Sequence, residues 1–295
     1  RRREAEDRGL SPQSVAIILW AVERSRLPIS PDTAEFLADA AAAQMPHYKS
    51  MEFSNVLWAM ARLGITPTLA CQHEMLVKAA ASMPELNAES LPRVLWALAT
   101  LRMEPGARML KAFCRRASEI VSSMNPQGLA ILLWSLSKLE HPPPEELDRQ
   151  LQARVLQTAR SFPPQNVCML LGAWVAMERQ PSQEVLDALQ VQAARTAHHY
   201  SEQGVSSLLW ALGKMGRHCR PDLADAMMRR ATLLESSLTT QGLAKVMWGL
   251  SAMGVQPSQE LMPAMHRRFQ ALEGRFKPQE TAMLNTAVRA MGLAW

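Results

Sequence analysis

The chain has 295 residues, of which 48% are hydrophobic and 20% charged, and 32 Lys and Arg against 27 Asp and Glu give a net charge of +5. This mildly basic balance is compatible with an acidic polymer as partner but does not require one. None of the four cysteines belongs to a C-x-x-C pair, so a disulfide framework or zinc site is not expected, and no apolar run is long enough for a membrane span.

Tryptophan recurs at a fixed spacing of 38 residues or twice that spacing. The rungs of this ladder are Trp20, Trp58, Trp96, Trp134, Trp210 and Trp248. Gly172 and Thr286 occupy the two remaining rungs, because the sequences around them align with those around the tryptophans. Eight copies of one unit therefore run from about residue 11 to residue 292, and such a period is typical of a solenoid.

Each copy begins with a helix. Counting the ladder position as zero, position −10 is apolar, position −9 is often a capping residue and position −8 is often proline, as in Leu10-Ser11-Pro12. An apolar residue follows at −5, which predicts a hydrophobic staple and a helix start near −8. The helix is expected to end near +6, where Gly64, Gly216, Gly254 and Gly292 lie.

A second helix follows a turn that often contains proline at +9. Ser or Thr then precedes acidic residues, and apolar positions recur at +13, +17, +21 and +24 with helical spacing. The sequence thus predicts an all-α fold, a right-handed-type α-solenoid of two-helix repeats. We expect a single solenoid over residues 1–295, with a leading helix at 11–25 and seven helix pairs from about 29 to 292. Because residues 1–10 and Trp295 continue the pattern, we expect a segment of a longer array.

The tryptophans are interpreted as the structural core of the repeats, since Leu and Ala flank them; stacking on nucleic-acid bases is the alternative. Trp174 is included because it lies two residues after Gly172 and is expected to refill that space. The predicted core set is Trp20, Trp58, Trp96, Trp134, Trp174, Trp210 and Trp248.

Cations recur at position +20 of the second helix. They are Lys78, Arg116, Arg154, Arg230 and Arg268, with Gln192 interrupting the series and Arg115, Arg229 and Arg267 preceding three of them. Equivalent positions of a solenoid line up along one face, so these eight cations are candidate RNA-binding residues. Spacing alone fits equally well with side chains that border the apolar stripe and keep their charges in water.

Three other series have weaker functional interpretations. Glutamine at −7, as in Gln203 and Gln241, is expected to support the helix start, with RNA contact as the alternative. Cations at +4, as in Lys138 and Lys214, complement the C-terminal end of the helix dipole. Position +16 varies between copies and is a weak candidate for base readout.

The sequence offers no catalytic constellation. The seven histidines share no common position in the repeat, and there is no phosphate-binding glycine loop or nucleophile motif. We therefore expect no enzymatic activity, no metal and no cofactor.

The string Asn55-Val-Leu-Trp-Ala-Met-Ala-Arg-Leu-Gly64, its repeats and the Pro-Gln entries closely resemble the octotricopeptide repeat, and the resemblance covers nearly the whole chain. It implies a nucleus-encoded protein of a mitochondrion or chloroplast that binds RNA. Members act in messenger stability or translation, or sit on organellar ribosomal RNA. Met51 and Glu89 depart from the family-like glutamine.

The resulting hypothesis is a non-catalytic RNA-binding solenoid whose partner is messenger or ribosomal RNA, with ribosomal or other organellar proteins as further partners. The rival hypothesis is a protein-binding solenoid scaffold in an organellar complex. Retention of RNA that weakens with salt would distinguish the two.

Overall fold

A computed structural model of the protein describes residues 10–26 and 28–293. These residues form fifteen α-helices and six short 3-10 turns. The all-α class and the solenoid arrangement are confirmed, because helices of equivalent position pack on one another in succession. The expected continuation of the array through residues 1–9 and Trp295 lies outside the described residues.

The helices alternate between two layers. The first helices of the repeats are α1 (Pro12–Ser25), α3 (Ser50–Leu63), α5 (Ser90–Thr100), α7 (Pro126–Lys138), α9 (Pro164–Ala176), α11 (Glu202–Met215), α13 (Thr240–Ala252) and α15 (Pro278–Ala290). The second helices are α2 (Pro31–Ala43), α4 (Leu69–Ser82), α6 (Ala107–Ile120), α8 (Glu145–Thr158), α10 (Gln183–Arg195), α12 (Pro221–Leu233) and α14 (Leu261–Ala271). Within the described residues every helix is too short or too polar to cross a bilayer.

The chain divides into two compact units, the first ending at Arg154 and the second beginning at Val155. In the first unit, α1, α3, α5 and α7 pack in order against one another. In the second unit, α9, α11, α13 and α15 do the same. Second helices contact one another less extensively, so the first helices form the main packing layer of each unit.

Helix starts follow the predicted capping pattern. The side chains of Ser11, Asn125, Ser201 and Thr239 each accept a hydrogen bond from a backbone N–H in the first turn. Such caps satisfy amides that lack a partner inside the helix. The residues at −10 and −5 that bracket the caps Asn125, Ser201 and Thr239 lie in the core, as Met124 and Leu129 show at 0% exposure.

Every first helix ends on a left-handed residue at position +6. Four of these residues are glycines, and the other four are Arg26, Arg102, Glu140 and Glu178 with φ between 51° and 54°. A side chain with a Cβ is disfavoured in this conformation, which is why glycine is common there.

We expect Glu178→Gly to raise the free energy of unfolding by about 0.5–1 kcal/mol, since it removes the left-handed penalty. Glu178→Ala removes the same carboxylate but keeps a Cβ, so it is the matched control. The midpoint temperature of thermal unfolding should rise above that of the unmodified protein in Glu178→Gly but not in Glu178→Ala. Equal midpoints would contradict the assigned left-handed end.

Candidate nucleic-acid interface

The cations at +20 hold the backbone of the preceding linker. The Nε atoms of Arg116, Arg154, Arg230 and Arg268 donate to the carbonyl oxygens of Leu86, Met124, Tyr200 and Leu238 at 2.9, 3.0, 2.8 and 2.7 Å. Each carbonyl belongs to the buried residue at −10, thirty residues earlier in the chain. Because that residue is extended, its carbonyl lies outside any helix and needs such a donor. We call these four arginines the latch arginines.

Gln192 occupies the same position and makes the same bond. Its Nε2 donates to the carbonyl of Phe162 at 2.8 Å. Gln192 therefore lacks the positive charge found at this position in other repeats but makes the same hydrogen bond. Lys78 reaches a nearby carbonyl of the same linker type, that of Pro46, at 3.3 Å. In the six repeats from Lys78 to Arg268, position +20 thus supplies a hydrogen-bond donor that ties one repeat to the linker before it. Ala40 holds this position in the first repeat and supplies none.

The neighbouring arginines differ from one another. Arg267 forms a forked ion pair with Glu235, with Nε–Oε1 and Nη2–Oε2 distances of 3.1 and 2.6 Å. Hydrogen bonding to that carboxylate raises the pKa of Arg267 above its usual range. Arg115 and Arg229 are exposed on the second-helix layer of their units. Of the predicted RNA-binding set, these two present their charge most openly to solvent.

The ladder tryptophans are partly buried rather than enclosed, which corrects the expected tryptophan core in part. Trp20 is 55% exposed. Trp58, Trp96, Trp134, Trp210 and Trp248 are partly exposed. Among the tryptophans that the structure describes, Trp174 alone is fully buried, at 0% exposure. Trp174 does not refill the rung at Gly172, because position +2 is turned about 200° around the helix from position 0.

Four positions of the first helix share the exposed face that carries the tryptophans. Positions −7, −3, 0 and +4 are separated by three or four residues and therefore lie on one side of a helix. Every residue at −7 and every residue at +4 is exposed. We call this surface the ladder face of each unit. Glutamine at −7 and the cations at +4, which the sequence analysis treated separately, flank the tryptophans on it.

Cations lie over the tryptophan rings of both units. In the first unit, Arg24, Arg93 and Lys138 lie 5.5, 6.0 and 5.8 Å from the ring centroids of Trp20, Trp58 and Trp134. In the second unit, Lys245 lies 5.4 Å from Trp210, and Lys214 lies 5.2 Å from Trp248. Exposed contacts of this kind contribute about 0.5–1 kcal/mol. Stacking of a nucleobase on an aromatic ring contributes about 1–3 kcal/mol, so a base can replace the cation over the ring.

The arginines and the lysines of the ladder faces differ in their partners. Arg62 pairs with Glu23 at 3.0 Å, and Arg93 pairs with Glu89 at 2.6 Å. Lys138, Lys214 and Lys245 have no carboxylate within ion-pair distance in residues 10–26 and 28–293. Their charges are therefore available to an acidic ligand such as a phosphate.

One rung of the ladder lacks tryptophan, and two neighbouring tryptophans contact each other. Repeat five has Gly172 at the rung and Ala176 at +4, so α9 offers neither an aromatic ring nor a cation there. In the first unit, the rings of Trp58 and Trp96 pack against each other, with centroids 4.3 Å apart and planes tilted by 39°. That spacing leaves no room for a base between the two rings.

A polar cavity of about 250 Å³ lies on the ladder face of the second unit, between α11 and α13. Its lining includes Gln203 and Gln241 at −7, and Ser207 and Lys245 at −3. Position −3 varies along the chain between apolar, amide, hydroxyl and cationic side chains. Position +16 is a poorer candidate reader, because its residues are largely covered and Ala264 is 0% exposed.

The sequence model of one protein family, described as RNA-editing substrate-binding complex 6 protein (RESC6), matches residues 10–259. The chain belongs to the RESC6 family. A search of curated proteins finds no match. This membership agrees with a helical-repeat, RNA-binding type of protein, which is a coarser identification than the octotricopeptide repeat.

The RESC6 match includes both ladder faces up to α13 and ends before α14. All six ladder tryptophans and the lysines near them fall inside it, whereas Arg267 and Arg268 fall outside. The features that make the ladder face therefore lie within the matched region.

Three cysteine thiols have raised pKa values. Burial raises the pKa of the Cys114 and Cys219 thiols to about 11 and that of Cys168 to about 12. Thiols with such pKa values stay protonated near neutral pH and are weak nucleophiles. The described residues contain no cluster of three or more His, Cys, Asp or Glu that could hold a metal ion.

Proposed function

We propose that the protein is a non-catalytic RNA-binding repeat protein that holds single-stranded RNA on its ladder faces. The observation that carries this proposal is the pairing of partly exposed tryptophan rings with lysines that have no carboxylate partner, as at Trp134 and Lys138. Aromatic rings that stack bases and cations that follow the backbone are the two elements of single-strand binding.

The family suggests which RNA is bound. RESC6 is named for a complex that binds substrates of RNA editing. We therefore propose an RNA-editing substrate as ligand and the mitochondrion as location; the family gives no support for a chloroplast. The 38-residue period and the Trp motif still support an octotricopeptide-like repeat. A ribosomal role and a role in messenger stability or translation are less favoured than an editing complex, given the family's name.

A charge-reversal experiment tests the ladder face. We expect Lys138→Glu, Lys214→Glu and Lys245→Glu together to weaken binding of single-stranded RNA about tenfold or more. The slope of the log affinity against log salt should become shallower by about 2, at about 0.7 for each phosphate that the variant no longer neutralises. Fluorescence anisotropy over a salt series measures both quantities.

The matched control changes three exposed cations of the second-helix layer, Lys111, Arg115 and Arg229, to glutamate. It alters the net charge equally and includes two residues of the predicted cation stripe. Loss of binding in this control alone would move the RNA site to the second-helix layer and contradict the ladder face. Absence of RNA binding by the unmodified protein would favour the protein scaffold.

A further inference from the structure

The second unit carries a cavity that differs from the rest of the ladder faces. It lies between the N-terminal halves of α11 and α13 and has a volume of about 250 Å³. We propose that it is a base-reading site, which takes one unpaired nucleobase of the bound RNA and contacts its edge. This inference rests on the proposed function, since it assigns a readout to the same RNA.

The lining of the cavity has the chemistry that base edges require. Gln203 and Gln241 provide amides, Ser207 a hydroxyl, Lys245 an ammonium group and Glu202 a carboxylate. Each amide offers a donor and an acceptor, the combination that pairs with adjacent donor and acceptor atoms on a base. Neither amide has a hydrogen-bond partner among the residues that the structure describes, so both are available to a ligand.

Trp210 lies next to the cavity and provides a ring on which the bound base can stack. It lies one helical turn after Ser207 on α11, and Lys245 reaches from α13 to 5.4 Å from its ring centroid. A lysine that both lines the cavity and covers the ring joins the two parts of the site. A base that displaces Lys245 from the ring leaves the ammonium group free for the phosphate of the same nucleotide.

The corresponding place in the first unit is closed. Glu89 occupies position −7 of α5 and pairs with Arg93 at −3, whose Nη1 also donates to Asn55 at 3.4 Å. Trp58 and Trp96 pack against each other there. Glu89, Arg93 and Asn55 therefore satisfy one another between α3 and α5. In α11 and α13, by contrast, the side chains at −7 and −3 surround a space.

The test compares base preference with overall affinity. Twelve-nucleotide oligomers of A, C and U, and an abasic oligomer of equal length, are titrated against the full chain. We expect the unmodified protein to bind one homopolymer about fivefold or more tightly than the weakest, and the abasic oligomer more weakly still. Gln203→Ala with Gln241→Ala should reduce the homopolymer differences to within about twofold while abasic binding stays unchanged.

The matched control is Gln127→Ala with Gln165→Ala. These glutamines are exposed at the same position −7 but have the apolar Ile131 and Met169 at −3. The control should keep the base preference, and circular dichroism should show that both double variants fold. Trp210→Leu should weaken binding of every homopolymer and leave abasic binding unchanged.

Two outcomes would overturn the base-reading site alone: RNA binding without any base preference, or a preference that survives Gln203→Ala with Gln241→Ala. An equal loss of preference in the control pair would also overturn it, because the cavity would not be the cause. Failure of the unmodified protein to bind any oligomer would overturn the proposed function as well.

Discussion

Gly249→Leu is expected to lower the free energy of unfolding of the second unit by about 3 kcal/mol or more. A Cβ at this position would lie 2.5 Å from the carbonyl oxygen of Leu209 and 2.6 Å from its carbonyl carbon. These are backbone atoms of α11, so α11 and α13 must separate to admit any side chain. Overpacking of a well-filled core costs about 1–3 kcal/mol even where side chains can shift.

A second glycine, on α11, explains why α11 and α13 approach each other so closely. Gly213 on α11 would place a Cβ 3.1 Å from the Cα of Gly249. Two helices thus cross where neither has a side chain. Since the ladder face of the second unit depends on this crossing, we expect Gly249→Leu to weaken RNA binding together with stability.

Gly172→Ala is the matched control, because Gly172 is also a helical glycine of the second unit. A Cβ there meets nothing within 4 Å. Alanine is favoured over glycine in a helix by about 1 kcal/mol, so this variant should be more stable than the unmodified protein. Gly249→Ala should be less stable despite the same gain in helix propensity. Chemical denaturation of the three variants tests the order, and a stabilised Gly249→Ala would contradict the close crossing.

Local rules were enough to predict the fold from the sequence. The 38-residue period, the caps such as Ser11 and the left-handed end at Gly64 are set by short stretches of chain. In the structure α1 begins at Pro12, and fourteen further helices follow it between Pro31 and Ala290. The same rules could not show that position +6 is left-handed in copies without glycine, because Glu178 gives no local signal for it.

The candidate site was harder to predict. Tryptophan was assigned to the core because leucine and alanine flank it in the sequence, but helix neighbours on a face are three or four residues apart. Gln203 at −7 and Lys214 at +4 of Trp210 are polar and exposed, and that pattern predicts a ring at the edge of the core. The hydrogen bonds of the latch arginines could not be predicted from the sequence. Their partners are backbone carbonyls thirty residues away, and a backbone carbonyl has no side-chain pattern that would reveal it.

Arg230→Met with Arg268→Met is expected to lower the free energy of unfolding of the second unit by about 2–6 kcal/mol. Each change leaves the carbonyl of a residue at −10 without its donor, and an unsatisfied buried backbone group costs about 1–3 kcal/mol. Methionine keeps much of the aliphatic stem, so the loss reports the hydrogen bonds to Tyr200 and Leu238. Chemical denaturation measures the change.

Substitution by glutamine distinguishes the effect of the hydrogen bond from that of the positive charge. Gln192 on α10 already makes this bond without a charge. Arg230→Gln with Arg268→Gln should retain most of the stability. Some loss is expected, since the Oε1 atom of Gln192 is buried without a partner. If glutamine destabilised the protein as much as methionine, the hydrogen bond would not be the cause.

The same glutamine variant decides whether position +20 also binds RNA. It removes two positive charges while keeping the helices in place, so a phosphate bound at Arg230 or Arg268 would appear as a shallower salt slope, by about 0.7 for each phosphate. We expect an unchanged slope, because each Nε is already used by a carbonyl. The lysines proposed to bind phosphates, Lys138, Lys214 and Lys245, lie on the ladder faces instead. A shallower slope with unchanged stability would show that the latch arginines bind the RNA backbone as well.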